Sequence, residues 1–251
     1  MNTVLQTHHL EKRFGGITAT HDMSISFERG ARHALIGPNG AGKTTLVNLL
    51  TGVLTPTSGT IVLDGEDITT LASHQRARRG LVRTFQINQL FDTFTPLATI
   101  SLVIAQREGA GTHVWKALCR HDAVVAEAMT LLAKFHLVDV AGQKTSVLPY
   151  GKRRLLEIAI ALASRPRVLL LDEPVAGVPS GESREILDTL AALPADVTVL
   201  LIEHDMDLVF RFATRMSVLV NGALLVEGSP DEIAQDPRVK AVYLGSAGHH
   251  G

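Results

Sequence analysis

The feature that most constrains this chain is an eight-residue run, GPNGAGKT, at residues 37–44. It lies between a short apolar segment, HALIG at 33–37, and a segment with helical spacing, TTLVNLL at 44–50. A run of the form G-x-x-x-x-G-K-[ST] in that position predicts a turn from a buried strand into a helix. The glycines let successive N–H groups point at one centre, and the helix that follows adds the positive end of its dipole. The run therefore predicts a site for the phosphates of a nucleoside triphosphate.

Two positions of this run have chemical tasks of their own. Lys43 reaches the β- and γ-phosphates, and the Thr44 hydroxyl is a ligand of Mg²⁺. We assign the nucleotide contacts to all positions of the loop and the first helical turn: Gly37, Pro38, Asn39, Gly40, Ala41, Gly42, Lys43, Thr44 and Thr45.

A second motif, VLLLDEP at 168–174, ends an apolar run with two carboxylates. A buried strand that ends in this way places Asp172 near the metal, where it can hold a Mg²⁺-bound water. Glu173 follows and is expected to face the γ-phosphate, where it would polarise the attacking water. Alone, an acidic pair at a strand end is more often structural. Together with the phosphate loop, the pair predicts a site that hydrolyses a nucleotide.

Composition excludes several other classes of protein. Lys and Arg total 24 and Asp and Glu total 25, so the chain lacks the basic surplus expected of a nucleic-acid-binding protein. Cys119 is the only cysteine, which excludes an internal disulfide and a zinc site built from cysteines. The apolar runs are far shorter than the ~20 residues that cross a bilayer. The N-terminus lacks the apolar core of a signal peptide, so we expect a globular protein without a membrane span of its own.

Short β-branched runs alternate with longer helical patterns, which predicts an α/β fold with a mostly parallel core sheet. Alternating segments near the start of the chain predict an N-terminal antiparallel β layer. The predicted core strands are HALIG at 33–37, VLLLD at 168–172 and VTVLLIE at 197–203, followed by a hairpin of 217–220 and 223–228 around Asn221-Gly222. The predicted antiparallel segments are 3–10, 23–28 and TIVLD at 60–64.

Between about 92 and 165 the apolar residues recur at helical spacing, which predicts an inserted α-helical subdomain. We expect the sheet-bearing part to cover about 4–91 and 166–228. Ser229-Pro230-Asp231-Glu232 combines a capping box with proline at the first helical position, and this predicts a C-terminal helix over about 230–244. Residues 245–251 are expected to form a flexible tail.

With these motifs in this order, residues 4–244 resemble the ATPase domain of ATP-binding cassette (ABC) transporters. The resemblance implies a P-loop NTPase fold of ABC type that hydrolyses ATP with Mg²⁺, with Lys43 and Glu173 as catalytic residues. In EKRFGG, Phe14 matches the aromatic that stacks on adenine, with an ordinary packing residue as the alternative. In VRTFQ, Gln86 matches the catalytic glutamine that contacts Mg²⁺. In LLIEHD, His204 matches the switch histidine that contacts the γ-phosphate.

LPYGK at 148–152 occupies the place of the family's signature sequence, which implies that Pro149, Tyr150, Gly151 and Lys152 contact the ATP of a second subunit. In the family, two ATP molecules are sandwiched between two chains. The usual signature begins Leu-Ser-Gly-Gly-Gln, and proline at position 149 lacks the donor that serine offers. Lys152 replaces the glutamine, and we expect it to supply positive charge instead. Pro179 stands where the family commonly has aspartate.

LPYG, RTFQ, DEPVAG and the ending QDPRVKAVYLG are similar to the ATPase subunits of bacterial branched-chain amino acid importers, in particular the larger of their two ATPases. This likeness implies a second ABC ATPase as partner, in a heterodimer or a homodimer. It also implies transmembrane permease subunits, a periplasmic solute-binding protein as an indirect partner and no nucleic acid. The expected location is peripheral, on the cytoplasmic face of the bacterial inner membrane. The apolar residues after Gln86 either line a groove for the permease or belong to the core: Phe91, Phe94, Leu97 and Ile100.

Two alternatives stay open at this point. The ATPase of a lipid or lipopolysaccharide exporter also carries the ending VKAVYLG, but such proteins generally retain an LSGG signature. A soluble ABC ATPase acting in DNA repair or translation would need paired cassettes, zinc modules, a long coiled coil or a basic surface, and the sequence shows none of these.

Overall fold

The computed structural model describes residues 3–84, 92–109 and 122–246. The chain forms two compact units. The first consists of Met1–Arg83, Arg167–Glu173 and Pro194–Gly251, and the second of Thr84–Pro166 and Pro174–Leu193.

The described chain opens with four strands, and helices and strands follow in mixed order after them. In chain order, the elements up to residue 107 are β1 (Thr3–Phe14), β2 (Ile17–Met23), β3 (Ser26–Glu28), β4 (Arg32–Ile36), α1 (Lys43–Leu50), β5 (Ser58–Leu63), β6 (Glu66–Asp67), α2 (Ser73–Arg78), β7 (Leu81–Arg83) and α3 (Pro96–Arg107). Those that follow are α4 (Asp122–Lys134), α5 (Tyr150–Ala163), β8 (Val168–Asp172), α6 (Ser180–Ala191), β9 (Thr198–Ile202), α7 (Met206–Phe212), β10 (Arg215–Val220), β11 (Ala223–Gly228), α8 (Pro230–Gln235) and α9 (Pro237–Ser246), with 3₁₀ turns at Val138–Val140 and Thr145–Val147.

The first unit opens with an antiparallel sheet in the order β2-β1-β5-β6, in which β3 also pairs with β1. This confirms the predicted N-terminal layer. Strand β2 was not predicted. Its sequence, ITATHDM, has no regular alternation of apolar residues, and only Thr20 and Met23 are buried.

The second sheet of this unit has the order β11-β10-β4-β9-β8-β7 and is parallel from β10 to β7. It confirms the predicted mostly parallel core. β10 and β11 form the predicted hairpin, in which Asn221 and Gly222 have φ of 49° and 78°, the positive values that a tight hairpin turn requires. Strand β7 is not predicted, because three residues give no pattern.

Helices and the antiparallel layer cover both faces of the core sheet. Leu35 packs into one hydrophobic cluster, with α1 and the antiparallel layer, while its neighbours Ala34 and Ile36 pack into the other. Side chains that alternate between two buried faces explain why these strands read as continuous apolar runs.

The described part of the second unit contains helices and no strand, as the predicted helical subdomain requires. Its buried residues include Ile100, Leu132 and Ile158, so Ile100 belongs to the core of this unit. The segment Pro174–Leu193 also falls in this unit, although the sequence pattern grouped it with the sheet. The reason is helix α6, which packs against α5.

The C-terminal segment forms two helices, α8 and α9, where we expected one. The predicted capping box is present: the Glu232 N–H donates to Ser229 Oγ, and the Ser229 N–H donates to Glu232 Oε2. The helix is interrupted because Pro237 forces the preceding residue, Asp236, into an extended conformation with ψ of 120°. Residues 247–251 of the predicted tail lie outside the described residues.

In the portions of the chain that the structure describes, no helix combines the length and the apolar character that crossing a bilayer demands.

Candidate functional site

The core sheet brings the predicted site residues of the first unit to one edge. Strands β4, β9 and β8 are adjacent and parallel, so their carboxyl ends lie side by side. Gly37 follows β4, Asp172 ends β8 and His204 follows β9. The carboxyl ends of an open α/β sheet are where ligands bind.

The phosphate loop connects β4 to α1 and has a backbone that only glycine fits at two positions. Gly37 has φ of 150°, and a Cβ there would lie 2.2 Å from the carbonyl oxygen of Leu219. Gly42 has φ of 96°, and its Cβ would lie 2.7 Å from the carbonyl oxygen of Ala19. The loop is therefore curled tightly against neighbouring backbone, as a cradle built from N–H groups requires.

The Lys43 side chain folds back onto the phosphate loop. Its Nζ donates to the carbonyl oxygens of Gly37, at 2.6 Å, and Pro38, at 3.0 Å. Burial lowers the pKa of Lys43, and the carboxylates of Glu173 and Asp172 oppose that effect. The ammonium group thus lies within electrostatic reach of both predicted acidic residues. Thr44, in the first turn of α1, is exposed.

Asp172 is held by a residue that we did not single out from the sequence. Arg83, in β7, donates one guanidinium N–H to the Asp172 carboxylate and another to Asn48 Oδ1, at 2.9 Å. Arg83 is the first residue of the RTFQ motif at 83–86. Its place in that motif could have identified it from the sequence as a candidate site residue. The arginine joins strand β7, helix α1 and the end of strand β8, and it balances the charge of the carboxylate.

Glu173 and His204 meet at the edge of the sheet. Glu173 has φ of 47°, uncommon for a residue other than glycine, and its N–H donates to the carbonyl oxygen of Ile202 at 2.9 Å. Its Oε1 lies 3.4 Å from His204 Nδ1. The side chains are 47% and 70% exposed, respectively, so both remain accessible to a substrate.

Glu203 is a second residue that sequence reasoning missed. It is 2% exposed, and its Oε2 accepts a hydrogen bond of 3.1 Å from the N–H of His204. A carboxylate at the end of the otherwise apolar run VTVLLI was the available signal. The buried carboxylate fixes the backbone from which the His204 side chain projects.

Phe14 ends β1 with 47% of its surface exposed. Lys12 Nζ lies 5.2 Å from the ring centroid, within the range of a cation–π contact. The ring is therefore outside the buried core, and its stacking on adenine stays a prediction. Gln86 and Phe91 lie outside the described residues.

The signature-like residues belong to the second unit. Pro149 is the N-cap of α5, Tyr150 donates its hydroxyl to the carbonyl oxygen of Ala176 at 2.9 Å, and Gly151 is buried. Lys152 donates to the carbonyl oxygen of His136 and lies 3.5 Å from an Asp139 carboxylate oxygen. The ammonium group that we expected to supply positive charge therefore contacts an oxygen and a carboxylate of its own unit.

The residues of the first unit suit a magnesium nucleotide. Across the described ranges, no group of three His, Cys, Asp or Glu side chains is placed to hold a metal ion. A hydroxyl at Thr44 and one carboxylate at Asp172 match the way Mg²⁺ is bound when substrate phosphates supply the other oxygens. The curled loop and Lys43 supply donors for those phosphates.

This fold and site define a P-loop nucleotide hydrolase with a mostly parallel core sheet and a helical second unit. The family model described as "ABC transporter" matches residues 20–176. The chain therefore belongs to the ABC transporter family, whose ATP-binding domain is an ATPase coupled to transport. A model described as "Branched-chain amino acid ATP-binding cassette transporter" matches residues 223–249.

Known proteins resemble the chain over nearly its whole length. The high-affinity branched-chain amino acid transport ATP-binding protein BraF of Pseudomonas aeruginosa is 41% identical, with 97% of this chain and 98% of that protein covered. The corresponding LivG protein of Escherichia coli is 38% identical over the same shares. An ATP-binding cassette of an ABC transporter, crystallised in its ADP conformation, superposes with a TM-score of 0.82 at 31% identity, covering 98% of this chain and 100% of the other. The predicted family and fold are confirmed.

Proposed function

We propose that this ATPase powers an importer of branched-chain amino acids or related small solutes. The observation that carries the proposal is the grouping of Lys43, Asp172, Glu173 and His204 around one phosphate loop. The names of BraF and LivG supply the substrate class, and they favour import of amino acids over the exporter and soluble alternatives.

In this proposal the phosphate loop and Lys43 bind the β- and γ-phosphates of ATP. Thr44 and Asp172, together with Gln86, would hold Mg²⁺, which would neutralise phosphate charge. Arg83 keeps Asp172 at the end of its strand. The exposed ring of Phe14 stacks on the adenine, and Lys12 lies beside that ring.

Glu173 is the proposed general base. Its carboxylate is exposed at the mouth of the loop, and the left-handed backbone with its bond to Ile202 fixes where it points. His204, 3.4 Å away, orients that carboxylate and contacts the γ-phosphate. Glu173 accepts the proton of the attacking water, a contribution typically worth about 10²–10⁴-fold in rate.

The subunit acts as part of an assembly. We place it peripherally on the cytoplasmic face of the bacterial inner membrane, bound to transmembrane permease subunits and paired with a second ABC ATPase. The loop of Pro149, Tyr150, Gly151 and Lys152 would contact the nucleotide of that partner, with the backbone N–H groups of Gly151 and of the helix terminus that follows as the donors. A periplasmic solute-binding protein delivers the solute to the permease.

Replacement of one carboxylate tests the chemistry. With the purified permease complex and Mg-ATP, Glu173→Gln should retain nucleotide binding and release phosphate about 10²–10⁴-fold more slowly. The matched control is Glu66→Gln, an exposed glutamate of the same unit that pairs with Arg79, and its turnover should equal that of wild type. Turnover of Glu173→Gln close to wild type would show that another group is the base.

Solute specificity is tested with the same complex in liposomes. The ATPase rate should rise when the solute-binding protein is loaded with leucine, isoleucine or valine, and should not rise with lipid or lipopolysaccharide. Stimulation by lipid alone would favour the exporter and contradict the proposal.

A further inference from the structure

Arg83 lies beside the strand that ends in Asp172. Strands β7 and β8 are parallel, with Arg83 opposite Leu170, and Asp172 comes two residues later on the same face of β8. Leu170 is buried in the hydrophobic cluster that also contains Leu46 and Leu50 of α1. This face of β8 is therefore on the side of the core sheet that α1 covers, and the pairing register brings Arg83 to the same side.

The Arg83 guanidinium forms two directed contacts from this position. Its Nη2 donates to Oδ2 of Asp172, and its Nη1 donates to Oδ1 of Asn48 at 2.9 Å. The side chains of Arg83 and Asp172 are only 24% and 27% exposed, so water screens their ion pair in part. No described residue donates a hydrogen bond to the other carboxylate oxygen, Oδ1 of Asp172. The arginine thus fixes the carboxylate through one oxygen and leaves the second available.

The contact with Asn48 connects Arg83 to the helix that carries the other described candidate ligand of Mg²⁺. Asn48 comes four residues after Thr44 in α1, so the two side chains lie on the same face of the helix, one turn apart. Thr44 and Asp172 belong to different elements, a helix and a strand, and their separation depends on how those elements pack. A guanidinium is planar and holds its donors in a rigid fork. Arg83 therefore fixes the end of β8 relative to the first turns of α1.

We infer that Arg83 is a positioning residue for magnesium: by bridging Asn48 and Asp172, it sets the separation of Thr44 and Asp172 and leaves Oδ1 of Asp172 free for the metal. This inference rests on the proposed role of Thr44 and Asp172 in holding Mg²⁺. Residues that orient metal ligands by hydrogen bonding typically contribute about 10- to 100-fold to metal affinity. A guanidinium also repels a nearby cation, so removal of Arg83 would strengthen magnesium binding if positioning were unimportant.

Titration calorimetry of the full chain separates metal binding from nucleotide binding. The Kd for ATP is measured in EDTA and again with saturating Mg²⁺, and the ratio of the first value to the second reports how much the protein strengthens metal binding to the nucleotide. In Arg83→Gln this ratio should be about 10- to 100-fold smaller than in wild type, while the Kd in EDTA stays within about a factor of two. A general defect of the phosphate loop would instead raise both Kd values and leave their ratio unchanged.

Three further variants distinguish the geometry of Arg83 from its charge. Arg83→Lys keeps the charge and loses the fork, so its ratio should fall as in Arg83→Gln, and it decides the question if Arg83→Gln does not fold. Asn48→Ala removes one of the two contacts, and its ratio should fall by at least about twofold, the effect of a single weak hydrogen bond. The matched control is Arg79→Gln, which removes an arginine of the same unit that pairs with Glu66, and its ratio should equal that of wild type.

Each variant has an outcome that would overturn the inference. A wild-type or larger ratio in Arg83→Gln would show that the guanidinium does not position the metal's ligands. A wild-type ratio in Arg83→Lys would show that positive charge suffices, and one in Asn48→Ala would show that α1 is not part of the arrangement. If wild type itself bound ATP equally well with Mg²⁺ and with EDTA, the proposed magnesium site would fail. A magnesium-dependent wild type with an unaffected Arg83→Gln would remove only the role of Arg83.

Discussion

Glu157 gives the protein a pH-dependent stability that one substitution should remove. This glutamate lies on α5 with 4% of its surface exposed, and its Oε2 accepts a hydrogen bond of 2.7 Å from Arg154. Its Oε1 has no hydrogen-bond partner among the described residues. Burial raises the pKa of Glu157 to about 7, although the contact with Arg154 favours the ionised form.

The direction of this pH dependence follows from the difference in proton binding by Glu157 between the folded and the unfolded chain. The ordinary pKa of this group is 4.5, so between pH 4.5 and about 7 the folded chain binds the proton more tightly than the unfolded chain. The contribution to the free energy of unfolding is complete below about pH 4.5 and is lost as the pH rises through about 7. At about 1.4 kcal/mol per pKa unit, roughly 2–3 kcal/mol is lost between pH 5 and pH 8.

Urea denaturation followed by far-ultraviolet circular dichroism at pH 5, 6, 7 and 8 measures this loss. Wild type should lose about 2–3 kcal/mol more than Glu157→Gln across the series, because glutamine does not titrate. Glu127→Gln is the matched control: Arg107 lowers the pKa of Glu127, so this carboxylate stays ionised over most of the range. Wild type and Glu127→Gln should differ by a nearly constant amount. Parallel curves for wild type and Glu157→Gln would refute the reasoning.

Two further changes test the nucleotide site. Phe14→Ala should weaken ATP binding by about 1–3 kcal/mol, the magnitude of a base–aromatic contact, with little change in the unfolding temperature; equal affinity in a fluorescent-nucleotide titration would show that the ring does not stack. Gly37→Ala places a Cβ 2.2 Å from the Leu219 carbonyl oxygen, so we expect loss of detectable ATP binding and a lower unfolding temperature. A Gly37→Ala protein that unfolds and binds ATP as wild type does would mean that the loop is not packed against Leu219.

The sequence predicted those elements whose conformation depends on residues that are close together in the chain. The phosphate loop has a backbone that its glycines dictate, and the apolar runs of β4, β8 and β9 are long enough to identify as buried strands. The contact between Glu173 and His204 follows from those strands being neighbours, because Glu173 comes one residue after the end of β8 and His204 two residues after the end of β9.

The features that the sequence did not predict depend on contacts between residues far apart in the chain. Such contacts produce no periodic or motif-like pattern in the sequence. Arg83 lies on a three-residue strand that exists only because β8 pairs with it. Tyr243 is 207 positions beyond Ile36, and only the folded sheet places its ring against the cluster that contains Ile36. Pro174–Leu193 joins the helical unit because α6 packs on α5, a preference that neither helix shows alone.

The central claim is that the curled loop and Lys43 bind the phosphates of a magnesium nucleotide, and titration calorimetry tests it most directly. Wild type should bind Mg-ATP with an affinity that falls when EDTA removes the metal, and Lys43→Ala should show no detectable binding. Lys144→Ala, an exposed lysine of the other unit, should bind as wild type does. Equal Mg-ATP affinity in wild type and a folded Lys43→Ala protein would contradict the account.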